Sequence, residues 1–189
     1  TKVMKAAAKM GLPEKTDVES VYSSEVLDLR RKVGNDQIKP VDVSALEADP
    51  LREMHNFWNK ARDGMPMPCS SCIDPVALPK RLSQVFVIAV AHEPLTFRFR
   101  IMGEDVINAF GVNVCGQEVS TIESHGLPTG KLLHETYAWV VDQRQPVAMA
   151  GPNGALQDGF KRHEMIYLPF SNGGCQITNI LGASVYYRT

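Results

Sequence analysis

Two neighbouring segments near the middle of the chain decide its fold: residues 85–91 are VFVIAVA, and residues 96–102 are TFRFRIM. The first is an unbroken apolar run rich in β-branched side chains, which is typical of a strand. The second alternates strictly, with Phe97, Phe99 and Ile101 in one set and Arg98 and Arg100 in the other. Successive side chains of a strand point to opposite faces, so one set faces a core and the arginines face away. With the turn HEP at residues 92–94 between them, these segments predict a β-hairpin.

Helical patterns lie on both sides of this hairpin. Before it, Asp49 offers an N-cap with proline at the next position, and an apolar stripe follows at Met54, Phe57, Trp58 and Ala61. After it, residues 104–110 predict a short helix that ends at Gly111, and residues 128–144 predict a longer one.

The last third of the chain carries three further strand patterns, at residues 147–150, 162–170 and 176–187. Turn sequences at residues 152–154 and 172–174 separate them at hairpin distance. Two antiparallel hairpin sets around a helical insert favour the α+β class, with one mostly antiparallel sheet covered by helices on a single face.

Residues 1–45 differ in sequence pattern from the rest of the chain and predict an N-terminal helical arm. A short helix at residues 2–10 stops at the Gly-Leu-Pro of residues 11–13. A second helix begins after Asp17 and continues to Gly34, with an apolar side formed by Val18, Val21, Tyr22, Val26 and Leu29. We therefore expect two parts, an arm over residues 1–45 and a domain over residues 46–189.

Composition excludes several classes of protein. The 189 residues carry 20 Lys and Arg against 21 Asp and Glu, and a net charge of −1 gives no field that would attract nucleic acid. The longest apolar run, residues 85–91, is far shorter than the roughly 20 residues that cross a bilayer, and no secretory signal is recognisable. We expect a cytoplasmic protein that binds neither nucleic acid nor membrane, with four reduced cysteines.

An ordered set of residues then becomes informative: Trp58 and Arg62, Asp74-Pro75, Leu78-Pro79, the FRFR of residues 97–100 followed by Gly103, Gly111 and Gly116, Pro146-Val147, Glu164, Leu168-Pro169, and Leu181-Gly182. In this order they resemble a bacterial PAS-domain family of stand-alone PAS-like proteins. The resemblance covers roughly residues 50–185. It implies a five-stranded antiparallel sheet in the order 2-1-5-4-3, helices over one face, and often a cavity between the two.

The resemblance also implies a role. PAS-type proteins are sensors or adaptors in signal transduction that bind ligands, cofactors or partner proteins. We therefore expect a non-catalytic module that binds a small molecule, a second copy of itself or a partner signalling protein. The cofactor, if one is bound, is unknown from the residues alone.

Candidate site residues fall into two groups. Six are expected to line the cavity and bind a ligand: Phe99, Phe110, His134, Tyr137, Ile166 and Tyr167. Five others are expected to serve structural or interaction roles: Trp58, Arg62, Arg98, Arg100 and Glu164. Arg98 and Arg100 would either pair with a carboxylate such as Glu164 or recognise an anion. His163 cannot form a catalytic dyad with Glu164, because neighbours in a strand point to opposite faces.

Two alternatives remain open. The CSSC of residues 69–72 has the spacing of half a zinc site or of a redox pair, although Cys115 and Cys175 are isolated and unremarkable loop thiols are the favoured interpretation. A haem or flavin sensor is the other, with His134 as a helical haem ligand. No nucleophile elbow, His-Glu-x-x-His motif or phosphate-binding loop is present in the sequence, so we expect no catalytic residues.

Overall fold

The computed structural model describes residues 17–74, 78, 82–152 and 160–188. Five α-helices lie in this part of the chain: α1 Val18–Val21, α2 Ser24–Lys32, α3 Asp49–Ala61, α4 Glu104–Phe110 and α5 Thr129–Gln143. Six strands accompany them: β1 Lys39–Val41, β2 Val85–His92, β3 Leu95–Met102, β4 Val147–Pro152, β5 Phe160–Ser171 and β6 Ile177–Arg188. None of these helices is long and apolar enough to span a bilayer.

The strands form one antiparallel sheet in the order β1-β4-β5-β6-β2-β3. The predicted hairpin is present as β2 and β3. Strand β6 pairs with β2, so the last strand of the second hairpin set joins that set to the first. Counted without β1, the order is the expected 2-1-5-4-3. The α+β class and the antiparallel sheet are therefore confirmed.

The sheet has one strand more than the predicted five. β1 comes from the segment preceding the expected domain, and it pairs with β4 through Lys39↔Ala150 and Val41↔Ala148. Pro40 lies at its centre, which suits an edge strand because proline has no backbone N–H to donate. A three-residue strand with a central proline is too short to show period-two alternation, so the sequence pattern did not indicate it.

The sequence predicts helices on a single face of the sheet, but helix α3 lies on the other face from α5. It packs against β5 and β6, and Glu164 of β5 accepts hydrogen bonds from the backbone N–H groups of Glu47 (3.1 Å) and Ala48 (2.9 Å), directly before the helix. The strand neighbours of Glu164, His163 and Met165, point to the opposite face of the sheet, on which α5 lies. Helices therefore cover both faces, and Ala48, not Asp49, is the N-cap of α3.

The alternation predicted for β3 is broken by a β-bulge. Ile88 of β2 pairs with Phe99, whereas Val87 pairs with Ile101, so Arg100 is an extra residue with no partner in the ladder. Phe97 and Phe99 are buried as predicted, but beyond the bulge the buried residue is Met102, and Ile101 is 41% exposed. The expectation that Ile101 faces the core was wrong, because alternation in the sequence does not reveal a bulge.

The predicted second helix of the arm is two helices in the structure. Asp17 caps α1 as expected, and Ser23 then caps α2 by accepting a hydrogen bond from the Val26 N–H (3.3 Å), which separates α1 from α2. The apolar side of these helices, including Tyr22, Val26 and Leu29, is buried against α5. The helix predicted at residues 2–10 and its stop at residues 11–13 lie outside the described residues, as do residues 153–154 of the predicted turn.

Candidate functional site

A cavity of about 160 Å³ lies between the sheet and the helices α2, α4 and α5. Its floor is formed by side chains that alternate along the strands and point to the α5 side, namely Phe86, Phe99, Met149, Met165, Tyr167 and Tyr186. Its walls come from the helices, including Tyr22, Arg30, Val106, Phe110, Leu132 and Tyr137. An engineered protein cavity of about 150 Å³ is large enough to hold benzene, so this space suits a small ligand.

Four of the six residues predicted to bind a ligand line this cavity: Phe99, Phe110, Tyr137 and Tyr167. Tyr137 of α5 is the centre of the group, because its ring contacts Phe99 at 6.4 Å and Tyr167 at 5.8 Å between centroids, both edge to face. Burial raises the pKa of Tyr137 and of Tyr167 above the usual range, so both phenols keep their protons at neutral pH.

The other two, His134 and Ile166, do not line it, and their prediction is corrected. Ile166 follows Met165 and precedes Tyr167, so strand alternation directs it to the opposite face, where it is fully buried in the core. His134 follows Leu133, which lines the cavity, but its own ring packs edge to face on Phe97, with 5.1 Å between ring centroids. The haem alternative therefore loses its proposed ligand.

A different histidine faces the cavity. His163 of β5 is 9% exposed and stacks on Tyr186, with 4.1 Å between ring centroids and 20° between planes. Burial lowers the pKa of His163 to about 3, so the ring is neutral, and its Nε2 atom has no hydrogen-bond partner among the described residues. Strand alternation from Tyr167 through Met165 to His163 was the signal that would have identified it.

Arg30 is the second cavity residue that the sequence analysis missed. Its side chain is 2% exposed, it donates from Nη2 to the Ile38 carbonyl, and its guanidinium lies 4.6 Å above the Tyr22 ring. The Tyr22 hydroxyl in turn lies 2.9 Å from the Thr136 hydroxyl of α5. Arg30 follows Val26 by one helical turn and precedes Val33 by another, so the helical period placed it on the buried side.

Trp58 and Arg62 form a structural pair on α3. The indole Nε1 of Trp58 donates to the Pro169 carbonyl of β5 at 2.7 Å, and the side chain is 2% exposed. The Arg62 guanidinium lies 5.7 Å from the indole ring and donates from Nη1 to the Met65 carbonyl at 3.1 Å. The Trp58 hydrogen bond joins α3 to β5 on the face opposite the cavity, and Arg62 packs on the indole ring.

The carboxylate of Glu164 is fully buried, but neither Arg98 nor Arg100 is its partner. Arg162 donates to Glu164 Oε1 at 2.7 Å and also pairs with Glu47 at 2.9 Å. Arg98 and Arg100 lie on β3, at the far edge of the sheet, and are exposed; Arg98 donates to the Gly116 carbonyl. The predicted pairing with Glu164 is therefore corrected.

The CSSC segment forms one turn of 3₁₀ helix over Ser70–Cys72, with Cys69 exposed and Cys72 half-buried, both as free thiols. Ser71 Oγ donates to Cys69 Sγ at 3.1 Å, and this hydrogen bond lowers the pKa of the Cys69 thiol. Within the described residues, no group of three or more His, Cys, Asp or Glu side chains is arranged to hold a metal ion.

A family model described as a PAS domain matches residues 46–185, which include β2 to β5, most of β6, and the helices α3, α4 and α5. No curated protein and no solved structure matches the chain.

Proposed function

The chain belongs to the PAS-domain family, and from this premise we propose that it is a sensory or adaptor module of signal transduction that binds a small molecule in the cavity between its sheet and α5. The cavity is the observation that supports this proposal. Aromatic rings and methionines surround it, and two buried nitrogen groups, on Arg30 and His163, have no acceptor or donor within the described residues. Apolar pockets with a few convergent polar groups are the usual form of a small-molecule site.

We propose that the module binds and does not catalyse. General acid-base catalysis at neutral pH is most effective with a group whose pKa lies near 7. Burial instead lowers the pKa of His163 to about 3 and raises that of Tyr186 to about 12. Each of these two side chains therefore keeps a single protonation state over the physiological range, which suits recognition.

Native mass spectrometry of the freshly purified protein tests whether a small molecule is bound. We expect a complex heavier than the chain, whose extra mass is released as a small molecule on denaturation. The Gly182→Ala variant is the informative comparison, because a Cβ at Gly182 would lie 2.0 Å from Cζ of Phe86 and push that ring into the cavity. The variant should lose the ligand. Gly174→Ala, where an added Cβ meets open space, should keep it.

We further propose that the signal leaves through contact with a second copy or with a partner signalling protein in the cytoplasm. Ile101 and Leu82 support this, because they are exposed at 41% and 47% and line one groove beside β2 and β3. Light scattering after size exclusion should show a dimer that Ile101→Asp weakens. Val112→Asp, at an equally exposed apolar position, is the control. A monomer at every concentration would contradict self-association.

A thiol function is the second candidate, and the lowered pKa of Cys69 favours it. A redox module would need Cys69 and Cys72 to respond to oxidant. Replacing both by serine should leave ligand content and oligomeric state unchanged if the module is a PAS-type sensor of small molecules. A change in either property with oxidant, lost in the double variant, would favour the thiol function.

A further inference from the structure

Arg30 is buried in the wall of the cavity, and no carboxylate among the described residues forms an ion pair with it. Its side chain is 2% exposed, donates to the Ile38 carbonyl, and also interacts with the hydroxyl and the ring of Tyr22. The Nε–H group has no acceptor within the described residues. An arginine stays charged at any physiological pH, and burying a charge without pairing it is strongly unfavourable.

The neighbouring carboxylates do not bind it directly, although the charge of Arg30 helps to lower the pKa of Asp36. Asp36 is solvent accessible and accepts a hydrogen bond from Gln37 Nε2 at 3.0 Å. Glu135 accepts from the Ser23 N–H at 2.8 Å and from the Ser23 hydroxyl at 2.6 Å. Of the carboxylates in the described part of the chain, none forms an ion pair with Arg30. The free N–H group therefore has the chemistry of an anion-binding site.

The rest of the lining determines what kind of anion fits. Rings and thioethers, including those of Phe86, Met149 and Tyr167, provide apolar surface around the space. Among the described residues that line the cavity, Arg30 is the one arginine, and His163 is held neutral by burial. A ligand with one negative charge and an apolar body matches this arrangement, whereas a dianion would bring a second charge with no counterpart.

We propose that the cavity binds a small monocarboxylate with an aromatic or apolar body, and that its carboxylate pairs with the guanidinium of Arg30. This inference rests on the proposed function, since it names the class of ligand for the same cavity. Arg30 lies on α2, which precedes the part of the chain that the family model matches. The bound ligand thus joins α2 to the sheet, and occupancy of the cavity is transmitted to the N-terminal segment.

Benzoate and benzamide are suitable probes, because they have nearly the same shape and differ in charge. Their dissociation constants for the intact chain are measured by NMR titration at neutral pH. A hydrogen-bonded charge contributes enough to make benzoate bind at least about tenfold more tightly than benzamide. Arg30→Met should abolish this preference. Arg31→Gln should retain it, because Arg31 is exposed on the same helix and pairs with Asp28.

The outcomes separate the two proposals. Equal affinities of the wild type for both probes, or a preference that persists in Arg30→Met, would overturn the carboxylate inference and leave the cavity as a binding site. Binding of neither probe to the wild type would count against the proposed function as well. Should Arg30→Met fail to fold, Arg30→Lys keeps the charge and should retain part of the preference, and the wild-type comparison needs no variant.

Discussion

Glu164 shows how one side chain holds the start of α3 against the sheet. Its carboxylate caps the start of α3 through the N–H groups of Glu47 and Ala48, and it also binds Arg162. The family resemblance placed Glu164 among the characteristic residues of the chain. The structure gives it a stabilising role outside the cavity.

Glu164→Gln should therefore lower the free energy of unfolding by about 2 kcal/mol or more, because it removes a buried charge that accepts three hydrogen bonds. Glu47→Gln is the matched control. Glu47 pairs with the same arginine, but its side chain is 66% exposed, and the loss should stay below about 1 kcal/mol. Urea denaturation measures both. Equal losses in the two variants would show that burial of Glu164 contributes nothing.

His163 makes stability depend on pH in a defined direction. Its pKa is about 3 in the folded chain and near 6.5 when the chain is unfolded, so between these values the unfolded state binds the extra proton. Stability therefore falls as the pH decreases from about 6.5 towards 3. His163→Phe keeps the ring stacked on Tyr186 and removes the proton site.

We expect the slope of unfolding free energy against pH, measured between pH 6 and pH 4, to be smaller in His163→Phe by up to about 1.4 kcal/mol per pH unit. His125→Asn is the control, because His125 is exposed and asparagine tolerates its positive φ of 54°. A slope identical to wild type in His163→Phe would mean that the ring is solvated in the folded chain.

The alternation of side chains along a strand explains which residues of the site the sequence predicts correctly and which it does not. Phe99 and Tyr167 were placed correctly towards α5. The prediction puts Ile166 on the same side as Tyr167, although strand neighbours cannot share a face, and it omits His163, which does share that face. Arg30 was missed because an arginine on a short helix is usually at the surface.

At the scale of elements, Gly151 determines how β1 joins the sheet. A Cβ at this position of β4 would lie 2.2 Å from the Gln37 carbonyl oxygen and 2.8 Å from Cα of Ile38. The backbone that precedes β1 therefore crosses directly over a residue without a side chain. The same backbone provides the Ile38 carbonyl that binds Arg30.

Gly151→Ala should displace this crossing and destabilise the protein by about 1–3 kcal/mol, the usual effect of a methyl group forced into a packed contact. Amide exchange at Lys39 and Val41 should accelerate as β1 separates from β4. Gly174→Ala serves as the reference, since nothing lies within 4 Å of its added Cβ. Unchanged exchange in Gly151→Ala would contradict the crossing described here.

Elements differ in how well the sequence anticipates them. β2, β3 and α5 have long and regular patterns, and each was placed within one or two residues of its observed ends. The sequence does not predict the side of the sheet on which α3 packs. An apolar stripe indicates that a helix is buried, but it does not indicate the surface against which the helix packs. The contact with Glu164 decides it, and that contact joins residues more than one hundred positions apart.

For the whole molecule, the family resemblance supplied the order of the strands that local patterns leave open. The proposed boundary between residues 45 and 46 divides the chain in sequence, and the described part of the arm nevertheless shares the sheet through β1 and the cavity through Tyr22 and Arg30. This shared packing is the route by which a ligand in the cavity would act on the N-terminal segment under the proposed function. The charge balance and the strand patterns do not specify such a ligand.

Occupation of the cavity by a small molecule is the central claim, and methionine methyl NMR with benzene as the probe tests it most directly. Three methionines, Met102, Met149 and Met165, line the cavity, whereas Met54 and Met67 are buried elsewhere. With 13C-labelled methyl groups, assigned by single Met→Leu variants, benzene should shift the first three signals saturably and leave the other two in place. Unmoved signals from the three cavity methionines, or equal shifts of all five, would contradict the claim.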